Sequence, residues 1–390
     1  MTATDYDAIV LGAGAAGLMC AAVAGQRGRR VLLLDHAEQV GKKILISGGG
    51  RCNFTNIHTA PDRYISANPH FAKSALARYT PADFIALVDA YGIAHHEKTL
   101  GQLFCDGSAK QIVAMLLEEC AKGGVEVRCG QPVRAVKHAD GIFSVAFGDR
   151  HVRAPNLVIA TGGPSIPKMG ATGFAYDLAR QFGVKIVEPR PALVPLTLGG
   201  DDVLFRELSG VATPVEARAG KAAFREAALF THKGLSGPAI LQISSYWRPG
   251  DPVTIDFLPA ATPGWLIDAK RARPRATLAA TLPLPDRLAQ TLAERLELAG
   301  ELGAQTDRRL ADAEARLARW TFHPNGTEGF AKAEVTVGGI STANLSSQSM
   351  MAKSVPGLYA VGEAVDVTGW LGGYNFQWAW ASGYAAGQAL

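Results

Sequence analysis

The sequence is short of the devices that would make it a disulfide scaffold, a zinc protein or a membrane protein. Its 390 residues contain five cysteines (Cys20, Cys52, Cys105, Cys120 and Cys129), an odd number, and no two stand in a CxxC spacing. A disulfide framework and a structural zinc site are therefore not expected, and a reducing cytoplasm is the natural compartment. No uninterrupted apolar run reaches the length of a membrane span, so no membrane partner is expected. Asp5 and Asp7 precede the first apolar stretch and no basic n-region is present, which argues against a signal peptide. Charged residues make up only 19%, with a formal net charge of +4. Such a mild excess does not by itself imply nucleic acid, although it suits an anionic ligand. No internal repeat or low-complexity tract is visible, and no metal-ligand spacing is present.

What is present is enough apolar surface for a large core. Hydrophobic residues reach 48%, and the length suits about two domains. Asp7–Leu11 reads as a short buried strand, Ala15–Gln26 as an alanine-rich helix closed by Gly28, and Val31–Leu34 as a second buried strand ending at Asp35. That is a βαβ unit with parallel strands. Gly41–Asn56 reads as a loop. Helices are predicted near Pro69–Arg78, Pro81–Tyr91 and Ser108–Lys122, the second with Thr80 as N-cap and Pro81 at the first helical position. Short strands at Val125–Arg128, Val133–Lys137, Phe143–Phe147 and Leu157–Ala160 suggest a small β-meander. Near Glu188 the character changes, and Pro189, Pro191 and Pro195 mark a boundary. Residues 189–332 read as an inserted domain, strand-like first and helical later, over Leu284–Gly300 and Asp307–Trp320. Residues 1–188 and 333–390 then form one domain from both chain ends. The expected class is α/β: a Rossmann-type domain with a parallel sheet and a small β-meander, plus a β-rich and helical insert.

The chemistry starts at Gly12-Ala13-Gly14-Ala15-Ala16-Gly17, a GxGxxG. Alone the pattern is weak. Here it follows a strand, opens a helix and is answered by Asp35 at the end of the next strand, which is the context a dinucleotide fingerprint requires. Gly12 allows the tight turn, Gly14 the approach of a pyrophosphate, and Gly17 close helix–strand packing. The helix N-terminus supplies N–H donors to the pyrophosphate, and Asp35 accepts from the adenosine ribose.

The remainder of the chain makes the dinucleotide FAD. An apolar strand runs into Ala160-Thr161-Gly162-Gly163, where two-dinucleotide-domain flavoproteins commonly pass the cofactor again. Leu358–Val361 leads into Gly362-Glu363, whose carboxylate suits a ribityl chain. Gly372-Gly373-Tyr374-Asn375 opens the last helix, whose N–H groups suit the N1/C2=O edge of a flavin. Gly41–Asn56 is glycine-rich and basic. Its Gly48-Gly49-Gly50 triplet permits close backbone approach, and Arg51, Lys42 and Lys43 can neutralise pyrophosphate or reduced-flavin charge. No second strand–GxGxxG–helix occurs. NAD(P)H, if it is the electron donor, therefore binds transiently at the flavin face, between the two domains.

The segments Gly41–Asn56, Phe230–Pro238 and Gly357–Gly383 resemble those of the BaiN/RdsA-like bacterial NAD(P)/FAD-dependent oxidoreductases. The strings SGGGRCN and GGYN-Q-A-SG carry the likeness, which spans nearly the whole chain. Three departures mark a side branch: Asp35 in place of the usual Glu, Gln102–Asp106 where many members have an Arg and a Pro around the Phe, and a loose match from Asp251 to Leu302. The resemblance implies that Gly12–Gly17, Asp35, Lys43, Ser47, Gly49, Arg51, Asn53, Gly362, Glu363, Gly373, Tyr374 and Asn375 line FAD. Val133, Ala160, Thr161 and Gly162 complete the expected lining. It also implies reduction of an activated C=C bond with NAD(P)H, in a small enone or in RNA uridine, with the substrate between the flavin and the insert. Amine oxidation with O2 and flavin-bearing RNA binding without turnover are the alternatives. Candidate catalytic residues are Cys52, Arg51 and Tyr374. Cys52 can be a general acid beside the flavin or a small packing residue. Tyr374 and Trp370 can wall the flavin face or pack. His232 can face substrate or hold a turn. Trp378 and Trp380 are read as packing residues. The basic clusters Lys270–Arg275 and Arg308–Arg319 read as solvated helix faces, or as phosphate contacts if the substrate is RNA.

Overall fold

The computed structural model describes residues 5–390. It divides into two compact units: the chain up to Arg190 together with Val335–Leu390, and Pro191–Glu334. Among the described residues no helix is long and apolar enough to cross a membrane.

The first unit is built on a five-stranded sheet in the order Leu358–Ala360, Asn156–Ile159, Ala8–Leu11, Val31–Leu34, Glu126–Arg128, parallel throughout. Ala8–Leu11 and Val31–Leu34 are buried along their whole length, as parallel strands covered on both faces must be. The helix Ala15–Gln26 packs against the last helix, Tyr374–Ala389, and against Ala109–Lys122. Small residues make the first contact possible. A Cβ on Gly383 would lie 2.5 Å from the Ala16 carbonyl oxygen, and one on Gly387 would lie 2.8 Å from that of Cys20. Glycines four apart on one helix thus lie along residues four apart on the other, so the backbones approach closely. The last helix is buried on most sides, with Trp378 and Trp380 wholly enclosed. Trp380 lies stacked on Phe84 and Phe376 and donates to the Phe54 carbonyl at 2.8 Å. Trp378 donates to the Gly362 carbonyl at 3.0 Å. Truncating either indole to Ala would cost about 3–5 kcal/mol.

The helices foreseen in this unit form, the one expected near Pro69–Arg78 only over Lys73–Arg78, and two have caps that explain their starts. Thr80 and Asp83 make a capping box with Pro81 at the first position, and Ser108 pairs with Gln111 in the same way. The strand reading needs correction. Glu126–Arg128 and Asn156–Ile159 join the parallel sheet, while the antiparallel meander consists of Val133–Ala139, Ile142–Phe147 and Arg150–Ala154. The third of these was not foreseen. Nor is Gly41–Asn56 a plain loop: it holds a helical turn at Lys42–Ile46, and Asn53–Asn56 pairs with Gln102–Cys105. Its pairing partner lies about 50 residues on, which no local pattern reveals.

The second unit is a seven-stranded antiparallel sheet in the order Trp320–Phe322, Val253–Asp256, Ala212–Ala219, Ala222–Phe230, Gly234–Ser236, Leu196–Leu198, Pro324–Thr327. The helices Asp286–Arg295 and Asp307–Leu317 confirm its helical second half, somewhat shorter than expected. The chain then returns to the sheet, where Pro324–Thr327 closes one edge against Leu196–Leu198.

Candidate functional site

The fingerprint turn is fixed by contact. Gly12 has φ +107°, and a Cβ there would lie 2.5 Å from the Ala160 carbonyl oxygen. A Cβ on Gly17 would fall 1.8 Å from the Gly12 carbonyl oxygen. Neither position tolerates a side chain. Gly14 differs: a Cβ there meets nothing within 4 Å. Its freedom serves a space in front of the helix rather than protein packing. That space is where a pyrophosphate would meet the N–H groups of Ala15 and Ala16, which have no intrahelical acceptor. Asp35 does more than was expected of it. Its carboxylate accepts from the Ala13 N–H at 2.7 Å and from the Ala37 N–H at 2.8 Å. It therefore braces the turn, and its remaining lone pairs are left for ribose hydroxyls. Val133 opens the meander two residues after Gln131, whose N–H bonds the Asp35 carbonyl at 2.8 Å.

A second cluster gathers Gly362 and Glu363 with Lys43. The Lys43 ammonium lies 2.7 Å from a Glu363 oxygen and 2.5 Å from the Ser165 hydroxyl, which itself donates to the other Glu363 oxygen at 2.7 Å. Lys43 therefore neutralises Glu363 rather than standing free for a phosphate, and this corrects its expected role. Ser165 was missed, because a serine in a Gly-Gly-Pro-Ser turn carries no pattern of its own. Gly362 has φ +66° and is clamped by the last helix, with its N–H donating to the Ser382 hydroxyl at 2.9 Å. The Thr161 hydroxyl, after Ala160 and before Gly162, is buried without a protein partner.

The third cluster joins the glycine triplet to the start of the last helix. Gly48, Gly49 and Gly50 all have positive φ. Gly49 is exposed with nothing near its Cβ position. The Ser47 hydroxyl turns inward to the Ile44 carbonyl at 2.7 Å. Asn53 donates to Gln102 at 2.9 Å, while its own amide oxygen is buried without a partner. A Cβ on Gly373 would meet the Thr55 carbonyl at 2.4 Å and that same Asn53 oxygen at 2.9 Å. Gly372 touches Gln102 in the same way, and the buried Asn56 amide bonds the Gly372 carbonyl at 2.8 Å. Gln102 and Asn56 were not singled out in sequence. Helix geometry leaves the first N–H groups of Tyr374–Ala389 without intrahelical acceptors, next to this cluster.

The candidate catalytic residues separate. Arg51 is exposed and makes no ion pair among the described residues, so its charge is available. Cys52 is wholly buried with φ +51°, and burial pushes its thiol far up, so it stays protonated. This setting lacks the partial exposure a reactive thiol needs and corresponds to the packing role. Tyr374 is also buried: its ring packs edge-on to Tyr64, and its carbonyl accepts from the Tyr64 hydroxyl at 3.0 Å. That is aromatic packing. Asn375 spends its side chain on the preceding turn, accepting from the Gly369 N–H at 2.8 Å and donating to the Gly369 and Trp370 carbonyls. Only its backbone faces the helix start. Trp370 lies under the Arg63 guanidinium at 4.3 Å. In the second unit His232 is exposed in a turn held by Thr231.

The basic clusters of the second unit also separate. Lys270 is paired with Asp307 and Arg271 with Asp268. Among the described residues Arg295, Arg316 and Arg319 have no carboxylate partner, and they line a pocket of about 350 Å³ with Asp202, Phe205, Trp320 and Thr321. Among the described residues no group of three His, Cys, Asp or Glu side chains is placed to hold a metal.

An open cradle at a helix N-terminus, a carboxylate beside it, a neutralised acid further along, unpartnered buried oxygens and a second helix start fit FAD. The fold and site define an FAD-dependent oxidoreductase on a Rossmann-type domain. The chain belongs to the family described as HI0933-like protein Rossmann domain, whose model matches residues 6–389. It is 52% identical to the ribosomal RNA dihydrouridine synthase of Escherichia coli K12, over 99% of this chain and 98% of the relative. It is 46% identical to the enzyme of the same name from Haemophilus influenzae, over 98% of each. A 3-dehydro-bile acid delta(4,6)-reductase of Clostridium scindens is 29% identical over 97% of this chain and 98% of the relative. Among solved structures, a 3-ketosteroid-delta4-(5alpha)-dehydrogenase from Rhodococcus jostii shares the fold, with a TM-score of 0.50 at 15% identity, covering 99% of this chain and 98% of that one.

Proposed function

We propose that this enzyme reduces the C5=C6 bond of uridine in ribosomal RNA, with NAD(P)H as the electron source. The observation that carries the reading is the 52% identity, end to end, with a ribosomal RNA dihydrouridine synthase. The more distant likeness to a bile acid reductase supports the same chemistry on a different body, hydrogen added across a C=C bond conjugated to a carbonyl. Bound FAD supplies the hydride.

The protein's part is binding, orientation and charge. The Gly12–Gly17 turn and Asp35 hold the adenosine half. Glu363, aimed by Lys43 and Ser165, holds the ribityl hydroxyls. The start of the last helix directs N–H groups at the pyrimidine edge of the flavin, where negative charge builds on reduction. Exposed Arg51 follows the glycine triplet and adds a cation to that loop. Arg295, Arg316 and Arg319, free of carboxylate partners, give phosphodiesters a place to bind and position the RNA without reading its sequence.

Two measurements test the reading together. Under anaerobic conditions NAD(P)H should bleach the flavin, and ribosomal RNA from cells lacking the protein should lose a dihydrouridine that the purified enzyme restores. A flavin inert to both nucleotides, or RNA with an unchanged nucleoside profile, refutes it. Amine-dependent peroxide formation would instead establish the oxidase alternative.

A further inference from the structure

The hairpin of His95–Glu97 and Gln102–Cys105 ends in a turn that neither packing nor backbone preference accounts for. The Gln102 N–H closes it onto the Thr99 carbonyl at 3.1 Å, and both central residues, Leu100 and Gly101, have positive φ, +53° and +77°. Such turns favour Asn-Gly or Gly-Gly, because a side chain with a bulky Cβ substituent is strained in the left-handed region. Here a leucine takes the first place and is 61% exposed, the most exposed of the large hydrophobics among the described residues. Ile57, 43% exposed, lies against Gly101 of the same turn, its N–H donating to the Gly101 carbonyl at 2.9 Å. Strain and exposure together mark a side chain that meets something outside the protein.

The position of the tip is fixed relative to the site. The buried Asn56 amide nitrogen donates to the Leu100 carbonyl at 3.0 Å and to the Gly372 carbonyl at 2.8 Å. One side chain thus ties the tip to the glycine pair that opens the last helix. Gln102, at the base of the turn, contacts both Asn53 and Gly372. The turn is also held from its own hairpin, where the Glu97 carboxylate accepts from the Gly101 N–H at 3.1 Å, and Lys98, exposed, lies 5.5 Å over the Phe104 ring.

We infer that Leu100 is a wedge that enters the RNA base stack and fills the gap left when the target uridine turns out toward the flavin. The inference rests on the uridine reading above. A base paired or stacked in folded RNA cannot lie flat on a flavin, and extruding it sacrifices its pairing and stacking. An apolar side chain in the vacated space offsets part of that cost. An exposed leucine on a rigid turn is suited to this; a mobile polar tip is not.

The test uses Leu100→Asn, which keeps the left-handed backbone comfortable and removes the apolar wedge, with Leu100→Met as the conservative control. Substrates are folded ribosomal RNA from cells lacking the protein, and unstructured oligouridine. Expected for Leu100→Asn is a loss in kcat/KM of about tenfold or more on folded RNA and less than about twofold on oligouridine, where nothing needs unstacking. FAD content and flavin bleaching should be unchanged, and Leu100→Met should retain activity. In an RNA hairpin carrying 2-aminopurine beside a paired uridine, the wild type should raise the fluorescence and Leu100→Asn should not. Equal losses on both RNAs, or none on either, overturn the wedge. So does a loss seen on intact ribosomal subunits but not on naked RNA, which would make the tip a protein-docking residue. If the wild-type enzyme reduces uridine in neither RNA, the proposed function itself falls, a result distinct from any difference between variants.

Discussion

Two glycine-rich turns serve this enzyme, and they are built on opposite terms. In Gly12–Gly17 the first and last glycines are forced by backbone a few residues away or on the adjacent strand, at 1.8 Å and 2.5 Å from a would-be Cβ. In Gly48–Gly50 the second and third glycines have open space, the first lies against the Phe104 ring from the neighbouring strand, and Asn53 just beyond is tied to Gln102 and faces Gly373, both far along the chain. The first turn is a local solution that any sequence with this fold must repeat. The second is an assembly, and its glycines serve what lies outside it.

The comparison breaks most sharply at Gly17. Gly17→Ala drives a methyl into the Gly12 carbonyl, so a destabilisation of about 4 kcal/mol or more and protein purified without FAD are expected, read by thermal unfolding and by flavin absorbance. Next is Glu363→Gln, which leaves Lys43 and Ser165 without their carboxylate. The pair is partly exposed, so a cost of about 1–2 kcal/mol in stability, with FAD affinity weaker by about tenfold, is expected from denaturant unfolding and flavin titration. Gly49→Ala should sharpen the contrast. It meets no atom and bears only left-handed strain of about 1 kcal/mol, so the fold should survive. A large loss of FAD affinity from so small a change would show the cofactor lying directly against this turn. An unchanged affinity would place the cofactor elsewhere.

The smallest effect concerns pH. Asp366 is buried, accepts from the Ala67 N–H at 2.9 Å, and burial lifts its carboxyl from 3.8 to about 6. A folded-state pKa above the unfolded value means that the native protein binds the extra proton between about pH 4 and pH 6. The contribution of Asp366 is therefore fully present below pH 4 and is lost as pH rises through 6. Asp366→Asn keeps an acceptor for Ala67 and should flatten that slope, raising Tm by about 2 °C at pH 8. A slope unchanged in the variant would remove Asp366 from the account.

Much of the site was legible where residues close in sequence are close in space. Gly12–Gly17 with Asp35, the capped helix at Pro81, and the last helix with its glycine entry follow from local pattern. Lys43 and Asn375 were named as cofactor residues, yet their side chains are used inside the protein, one on Glu363 and the other on Gly369. Ser165, Gln102 and Asn56 gave no signal, because a single polar residue has meaning only through the partner it meets. Cys52 looked chemical beside Arg51 and proved buried: Arg51 is exposed in a turn, while Cys52, with φ +51°, turns into the core, and neighbours in sequence need not share a direction.

By itself, then, the sequence determined the βαβ cradle, the requirement for glycine at its two tight contacts and the FAD-dependent class of the protein. These depend on hydrogen bonds and steric limits that act within a few residues or between neighbouring strands. Only the tertiary structure decided that Lys43 neutralises Glu363, that Asn53–Asn56 is a strand tied to the last helix, and that a strained leucine stands beside the site. Each of these depends on a contact between segments far apart in the chain, and a contact of that kind leaves no periodicity or spacing behind it.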